Sequence, residues 1–352
     1  MDRSRIDHDG LRLFEELLQI PAPSGREEAL AEAVRGKLEA WGLRPETDAA
    51  GNVMVRVEGS QEGAPTVCLA AHLDEIGMVV TQIEPDGSLR VTRAGGLFPW
   101  KLGEGVVDVL GDNATIQAAV SMGSGHSKMV VAQERTWETV RVLTGRSPSS
   151  LAEAGVRIGS PMVPVRGGRG PFVFGDEADP MVAAWTFDNR LGVVVLLQVL
   201  QAIADAKLQP ICPHTFAFTV EEEIGCHGAK ILAQRERPDV FIAVDGSPLV
   251  PECPIPLDGR PGIRSKDRVA SYDQDLFRDL CRLSASAGVE LLPVVYDGAA
   301  SDASMAYATG ATPRAGCLGY VRASSHGFEV APLSTFDKLL TAVSAFVAGW
   351  DG

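Results

Sequence analysis

The 352-residue sequence predicts an α/β fold, in which a three-layer domain with a mixed central sheet is interrupted by a smaller β-rich, barrel-like domain. Helical and strand patterns occur in residues 1–75 and again in residues 176–352. Residues 76–175 are instead rich in glycine and carry short β-type runs without long helical periods. The two outer segments are therefore predicted to form one discontinuous domain, and residues 76–175 an inserted domain.

The first outer segment predicts two helices followed by two strands. Residues 11–18 are apolar at helical spacing, and residues 24–27 have the S-x-x-E form of a capping box before a second amphipathic helix. Residues 52–57 alternate between polar and apolar side chains, whereas residues 66–71 are continuously apolar. A continuous apolar run of this length is typical of a strand that is buried on both faces.

The remaining elements are predicted from similar patterns. Short β-type runs recur in the insert at residues 78–83, 89–92, 105–110 and 114–120. After the insert, apolar strands are predicted at residues 181–185, 215–220 and 240–244. Residues 191–204 are apolar nearly all round, which predicts a buried helix, and a C-terminal amphipathic helix is predicted from Ser334.

Composition and charge exclude several classes of function. The formal net charge is −14, whereas a nucleic-acid or anionic-membrane surface requires a basic face. No continuous run reaches the about 18 apolar residues that span a bilayer, and residues 1–10 lack the apolar core of a signal peptide. The six cysteines form no C-x-x-C pair and are interpreted as free thiols. A cytoplasmic protein without nucleic-acid or membrane partners is expected.

Side chains that bind metals follow four of the predicted strands. His72, Asp188, the pair Glu222 and Glu223, and Asp245 each come at or just after an apolar strand-like run. In open α/β sheets the sites lie outside the carboxyl ends of the strands, so these groups are expected to converge at one rim. Each residue alone has a simpler explanation, as a helix cap, a solvated charge or a core histidine. Together they favour a metal site.

Five segments that contain these residues resemble one known family. They are residues 72–77 (HLDEIG), 187–190 (FDNR), 219–225 (TVEEEIG), 244–245 (VD) and 325–329 (SHGFE). In this order, and over residues 11–348, the chain resembles the M42 family of metallo-aminopeptidases, some members of which are labelled glutamyl aminopeptidase or endoglucanase.

The resemblance implies a role for each matching residue. His72 and Asp245 are expected to bind one metal ion, and Glu223 and His326 a second, with Asp188 bridging both. A hydroxide that bridges the two ions is expected to be the nucleophile.

The two other carboxylates are implied to support this centre. Glu222 is expected to act as the general base, and Asp74 to orient His72 through its second ring nitrogen. If the chain is extended here, the adjacent side chains of Glu222 and Glu223 point in different directions and can take different roles.

The family further implies a dinuclear aminopeptidase that removes N-terminal residues from short peptides. Two divalent ions per subunit are expected, with zinc foremost and cobalt or manganese as the other candidates. Assembly through the insert into a homo-oligomer, a tetrahedral dodecamer built from dimers, is also implied. Three alternatives remain open at this point: a dinuclear amidohydrolase or deacylase acting on acylated amino acids, a glycosidase, and a metal-binding scaffold without turnover.

Overall fold

The protein is described by a computed structural model over residues 8–132 and 134–352. Residues 1–7, which the sequence assigns to the first domain, lie outside the described residues. The strands are β1 (Glu46–Thr47), β2 (Val53–Val57), β3 (Val67–His72), β4 (Gly77–Ile83), β5 (Leu89–Ala94), β6 (Gly105–Leu110), β7 (Thr115–Ser121), β8 (Arg141–Leu143), β9 (Pro161–Pro164), β10 (Phe172–Phe174), β11 (Met181–Trp185), β12 (His214–Thr219), β13 (Val240–Val244), β14 (Ser247–Pro248), β15 (Pro261–Lys266), β16 (Leu292–Val295), β17 (Arg314–Arg322) and β18 (Phe328–Pro332). The helices are α1 (Asp9–Leu18), α2 (Glu28–Ala40), α3 (Pro99–Leu102), α4 (Lys128–Ala132), α5 (Pro148–Glu153), α6 (Phe187–Ala204), α7 (His227–Glu236), α8 (Gln274–Ser286), α9 (Asp302–Ala308) and α10 (Ser334–Gly349).

A mixed central sheet organises the larger part of the chain. Its strands lie in the order β1-β2-β12-β3-β13-β17-β15-β16, and β14 pairs with β17 at the side. The neighbours β12, β3, β13 and β17 run parallel, and the pairs β2–β12 and β15–β17 run antiparallel. Every residue of β3 is buried, as its continuous apolar run predicted.

The middle of the chain forms a closed six-stranded antiparallel barrel, in the order β4-β5-β8-β7-β6-β9. Its interior holds a separate hydrophobic core that includes Met78, Val91, Val109 and Leu151. The predicted fold class, a mixed α/β sheet interrupted by a barrel-like insert, is therefore confirmed. Strand β10 pairs with β11 outside the barrel, so the barrel strands span residues 77–164.

The apolar helix predicted after the insert is α6, and its continuous helical part begins after Asp188 and Asn189, whose backbone is not helical. By length and composition this helix could cross a membrane, but 72% of it is buried inside the protein. It packs against α1, α2, α10 and β3, as a central core helix does. Burial on all sides explains why its sequence shows no polar face.

The capping box predicted at residues 24–27 does not form. Helix α2 begins at Glu28 without a side-chain cap, and the Ser24 hydroxyl instead donates to Asp74 Oδ2 at 2.6 Å. The Glu27 carboxylate accepts from the backbone N–H of Glu221 at 3.1 Å. Burial and the charge of Asp74 raise the pKa of Glu27 to about 7. The capping box fails to form for a tertiary reason, because the side chains of Ser24 and Glu27 both bind partners far along the chain.

A fully buried carboxylate ties the two outer segments together beside the insert. Glu75 accepts from Arg169 Nη1 at 3.0 Å, from Trp185 Nε1 at 3.0 Å and from the backbone N–H of Ala22 at 2.8 Å. Arg190 Nη2 lies 3.4 Å from the same carboxylate, and the side chains of Glu75 and of both arginines are fully buried.

Replacing Glu75 by alanine is expected to lower the free energy of unfolding by about 3–5 kcal/mol, because it leaves two guanidinium groups buried without a counterion. Urea denaturation of the purified variant measures this change. The matched control is Asp112→Ala, which breaks an ion pair with Arg157 in which both partners are exposed, and should barely move the midpoint. An unchanged midpoint for Glu75→Ala would contradict the expected role.

Candidate metal centre

Three neighbouring parallel strands deliver candidate ligands to one edge of the central sheet. His72 is the last residue of β3, Asp245 directly follows β13, and Glu222 and Glu223 lie in the turn that follows β12. Because β12, β3 and β13 run parallel side by side, their carboxyl ends coincide. The rim predicted from the sequence is therefore present for these four residues.

Asp188 reaches the same edge by a different route. Strand β11 belongs to a separate three-stranded sheet with β10 and β18, so the expectation that all four strands end at one sheet is wrong for this strand. Asp188 lies in the first turn of α6, where the chain departs from helical geometry and the Asp188–Asn189 peptide is cis.

Two groups of three side chains share Asp188. In one group, His72, Asp188 and Asp245 offer ligand atoms that lie within 4.8 Å of one another, and His72 Nε2 is 3.2 Å from Asp188 Oδ1. In the other group, Asp188, Glu223 and His326 meet the same limit. His326 Nε2 lies 3.7 Å from both Asp188 Oδ2 and Glu223 Oε2. The structure thus brings together all five residues that the sequence proposed as ligands.

Both histidines are oriented in the same way. Nδ1 of His72 lies 3.1 Å from the backbone oxygen of Asp74, and Nδ1 of His326 lies 3.1 Å from the backbone oxygen of Gly96. A carbonyl oxygen only accepts, so each Nδ1 carries the proton and each Nε2 presents its lone pair to the carboxylates. Gly96 is required here, because an added Cβ would lie 2.3 Å from the His326 ring.

Asp74 positions the acidic turn as well as His72. Its Oδ1 accepts from the backbone N–H of Glu222 at 2.9 Å, and its Oδ2 accepts from that of Glu223 at 3.1 Å. The Asp74 Oδ1 atom is 3.4 Å from His72 Nδ1. The segment is a turn rather than the extended chain that the sequence argument assumed. The two acids nevertheless diverge, since Glu222 Oε2 lies 3.9 Å from His72 Nε2 while Glu223 faces His326.

The electrostatics of the centre are those of acids gathered to receive cations. Burial, followed by the charges of neighbouring carboxylates, raises the pKa of Glu222 and of Glu223 well above the ordinary value, although His72 opposes this. Glu223 Oε1 is buried and has no hydrogen-bond partner among the described residues. Carboxylate and imidazole donors with an unused buried oxygen fit divalent metal ions.

A buried arginine, which the sequence argument gave no role, balances part of this charge. Arg322 donates to Asp188 Oδ2 and, through Nε, to Glu329 Oε1 at 2.7 Å. Burial would raise the pKa of Asp188, but the charge of Arg322 together with the hydrogen bond and charge of His72 and the charge of His326 outweighs burial and lowers that pKa. Glu329 also accepts from the backbone N–H of Asp188 at 2.9 Å. Gly246 is the trace that this arginine leaves in the sequence, since a Cβ at that position would collide with the Arg322 guanidinium.

The centre opens into a large cleft with a volume of about 1180 Å³. Glu222, Glu223, Asp188, Asp245 and His326 all line it. Its walls also include apolar and aromatic side chains, among them Phe98, Trp100, Leu249, Val250, Tyr296 and Met305. A concave, mainly apolar space that leads to a few converging polar groups is the usual form of a small-molecule or peptide site.

The protein is therefore an α/β protein in which histidine and carboxylate side chains gather at the carboxyl edge of the central sheet. Residues 51–341 match the model of the M42 glutamyl aminopeptidase family. The chain belongs to this family.

Named relatives share part of the chain. The glutamyl aminopeptidase of Lactococcus lactis is 28% identical over 245 residues, which cover 66% of this chain and 65% of the relative. The lysyl aminopeptidase of Pyrococcus furiosus is 26% identical over 240 residues, with 66% and 65% covered. The chain thus matches slightly less than two thirds of the length of these relatives.

Solved structures match nearly the whole fold. An aminopeptidase from Desulfurococcus kamchatkensis superposes with a TM-score of 0.86 at 25% identity, covering 97% of this chain and 95% of that one. The TET1 peptidase of Pyrococcus horikoshii, described as assembling into a tetrahedron or a large octahedral shell, gives 0.84 at 25% identity. That match covers 97% of this chain and all of the other.

Proposed function

We propose that the protein is a dinuclear metal-dependent aminopeptidase that hydrolyses N-terminal residues from short peptides. The observation that carries the proposal is the pair of three-residue groups that share Asp188. His72 and Asp245 would hold one divalent ion, Glu223 and His326 the other, and Asp188 would reach both. The donor set suits zinc, with cobalt and manganese as alternatives.

The chain's own residues supply the remaining steps of hydrolysis. Two bound divalent ions supply positive charge that polarises a carbonyl and lowers the pKa of water from about 15.7 to about 7. Glu222 would accept the proton of the attacking water and deliver it to the leaving amine. Asp74 would keep Glu222 in place through the backbone N–H and would hold the tautomer of His72. The apolar walls of the cleft would bind the substrate side chains and exclude water.

Chelation of the purified protein is expected to abolish cleavage of amino-acid anilides that have a free amino group. Activity should return with zinc, cobalt or manganese, because the polarising charge is restored. N-acylated anilides are the matched control, and they should remain uncleaved throughout. Cleavage of the acylated substrates alone would favour the deacylase. Chelator-resistant hydrolysis of a glycoside would favour a metal-free pair of carboxylates instead.

We also infer a homo-oligomer, a tetrahedral dodecamer built from dimers through residues 76–175, with residues 1–75 and 176–352 forming the catalytic domain. The TET1 peptidase with the same fold assembles into closed shells, which supports this inference. The insert carries large exposed apolar side chains, including Met129, Leu143 and Ile158. Closed shells would restrict substrates to short peptides.

Deletion of residues 80–172 is expected to abolish assembly, because it removes the barrel and its exposed apolar side chains. Light scattering coupled to gel filtration measures the change in mass. Ile158→Asp, with its side chain 66% exposed on the insert, should weaken assembly in a chain that keeps the barrel. Ile231→Asp, 46% exposed on α7, is the matched control and should leave the mass unchanged. A dodecamer that persists after the deletion would contradict this mode of assembly.

A cytoplasmic location completes the proposal. All six cysteines are free thiols, and four of them are buried. Free thiols are typical of a reducing compartment.

A further inference from the structure

A further group of metal-binding side chains contains Glu222, apart from the two groups that share Asp188 and from the group of His72, Glu222 and Glu223. Cys226 Sγ lies 3.4 Å from Glu222 Oε1. A carboxylate oxygen of Asp302 lies within 4.8 Å of the ligand atoms of both. Cys226 is 3% exposed and Asp302 is 2% exposed. The group therefore combines two carboxylates and a thiol, and two of its members, Glu222 and Cys226, line the cleft.

Asp302 presents an oxygen that the protein leaves unused. Its Oδ2 accepts from the Thr219 hydroxyl at 2.5 Å. Its Oδ1 is buried and has no hydrogen-bond partner within residues 8–132 and 134–352. A buried acceptor without a partner is unfavourable, and native structures usually compensate it with water or an ion. The hydrogen bond from Thr219 holds the carboxylate while Oδ1 stays available.

The spacing of Cys226 and Glu222 fits two ligands of a tetrahedral ion, and Asp302 lies within reach of both. Zinc lies about 2.3 Å from sulfur and about 2.1 Å from carboxylate oxygen, which places two such ligands about 3.6 Å apart. The observed separation of Cys226 Sγ and Glu222 Oε1 is 3.4 Å. Both residues line the cleft, so an ion can enter from solvent. Three protein ligands would leave one coordination position for water.

We propose that Glu222, Cys226 and Asp302 form a third, inhibitory site for a thiophilic divalent cation such as Zn²⁺ or Cd²⁺. On binding, the cation replaces the proton of the Cys226 thiol, which passes to solvent, and no electron is transferred. Thiolate coordination favours these ions over Mg²⁺ or Mn²⁺. The inhibitory effect rests on the proposed function, because a cation held by Glu222 occupies the carboxylate that would accept the proton from water.

The test uses the full chain loaded with two equivalents of zinc and titrated with Cd²⁺ alone. A cadmium–thiolate bond gives an ultraviolet charge-transfer band, whereas Cd²⁺ exchanged into a site of carboxylates and histidines gives none. The band should saturate at one thiolate per subunit, and aminopeptidase activity should fall in parallel.

Three variants separate this site from other thiols. Cys226→Ala should lose the band and need at least tenfold more Cd²⁺ for inhibition. Cys253→Ala, which removes another thiol that lines the same cleft, should keep both responses. Asp302→Asn keeps an acceptor for Thr219 but loses the charge. It should weaken Cd²⁺ binding at least tenfold, since even an outer-shell change costs about 10–100-fold.

Each outcome bears on the proposal in a defined way. A wild-type protein without the band, an undiminished band in Cys226→Ala, or wild-type affinity in Asp302→Asn would overturn the third site. If the band appears as expected but the zinc-loaded protein cleaves no aminoacyl substrate, the aminopeptidase proposal fails and the third metal site stands. If the enzyme is active and the band is absent, only the third site fails.

Discussion

Replacing Glu222 by glutamine is expected to lower kcat by about 10²–10⁴-fold while two metal ions stay bound, because the amide cannot accept a proton from water. Glu222 is outside both groups that share Asp188, which is why metal content should be preserved. It is nevertheless close enough to His72 and Glu223 to act as a ligand. Activity measured together with metal analysis of the purified variant therefore distinguishes a base from a ligand.

The matched control for this variant is the neighbouring Glu221→Gln. Glu221 lies at the start of the same turn, and its backbone N–H is anchored on Glu27. Its side chain belongs to none of the groups of candidate ligands found in the described residues. Its kcat should stay close to the wild-type value. Full activity in Glu222→Gln would refute the assignment of the base, and loss of one metal equivalent would make Glu222 a ligand.

Replacing Asp188 by alanine is expected to remove both metal ions and to lower activity at least as far as the Glu222 variant. Asp188 is common to the two groups of ligands, so each ion loses one donor. The change also frees the buried guanidinium of Arg322 from one of its two carboxylates, and that positive charge then opposes cation binding. Metal analysis after dialysis against a fixed zinc concentration measures the stoichiometry.

The matched control for Asp188→Ala is Asp245→Ala, because Asp245 belongs to only one of the two groups that share Asp188. It should retain one ion per subunit under conditions in which Asp188→Ala retains none. Circular dichroism of both variants checks that the fold is intact. Two ions bound to Asp188→Ala would show that this carboxylate does not connect the sites.

Local patterns in the sequence were sufficient for the three parallel strands that present ligands. The continuous apolar run that became β3 is typical of a strand buried on both faces, and His72 ends it. The same holds for β13, which Asp245 directly follows. The insert could be predicted as β-rich from its short runs and glycines, but closure into a barrel depends on the pairing of β4 with β9, across more than seventy residues.

Strand β11 illustrates where the sequence argument failed. Its apolar pattern resembles that of the central strands, but it pairs with β10 and β18 in another sheet. Periodicity reports how many faces of a strand are buried and does not report which sheet buries them. Ser24 and Glu27 are a second case, since the capping pattern was present but their side chains were taken by Asp74 and the turn after β12.

The sequence by itself determined the α/β class, the β-rich insert and the position of His72, Asp245 and the Glu222–Glu223 pair at strand ends, because strand ends and apolar faces are local properties of the chain. The expected ligand role of His326 rested on the resemblance to the M42 family. Only the tertiary structure decided that Arg322 balances Asp188, that Glu75 joins two buried arginines, and that Asp302 lies beside Glu222 and Cys226. These contacts join residues that are distant in sequence. Their energies depend on shared burial and on which charges meet, and neither is encoded in the spacing of residues along one segment.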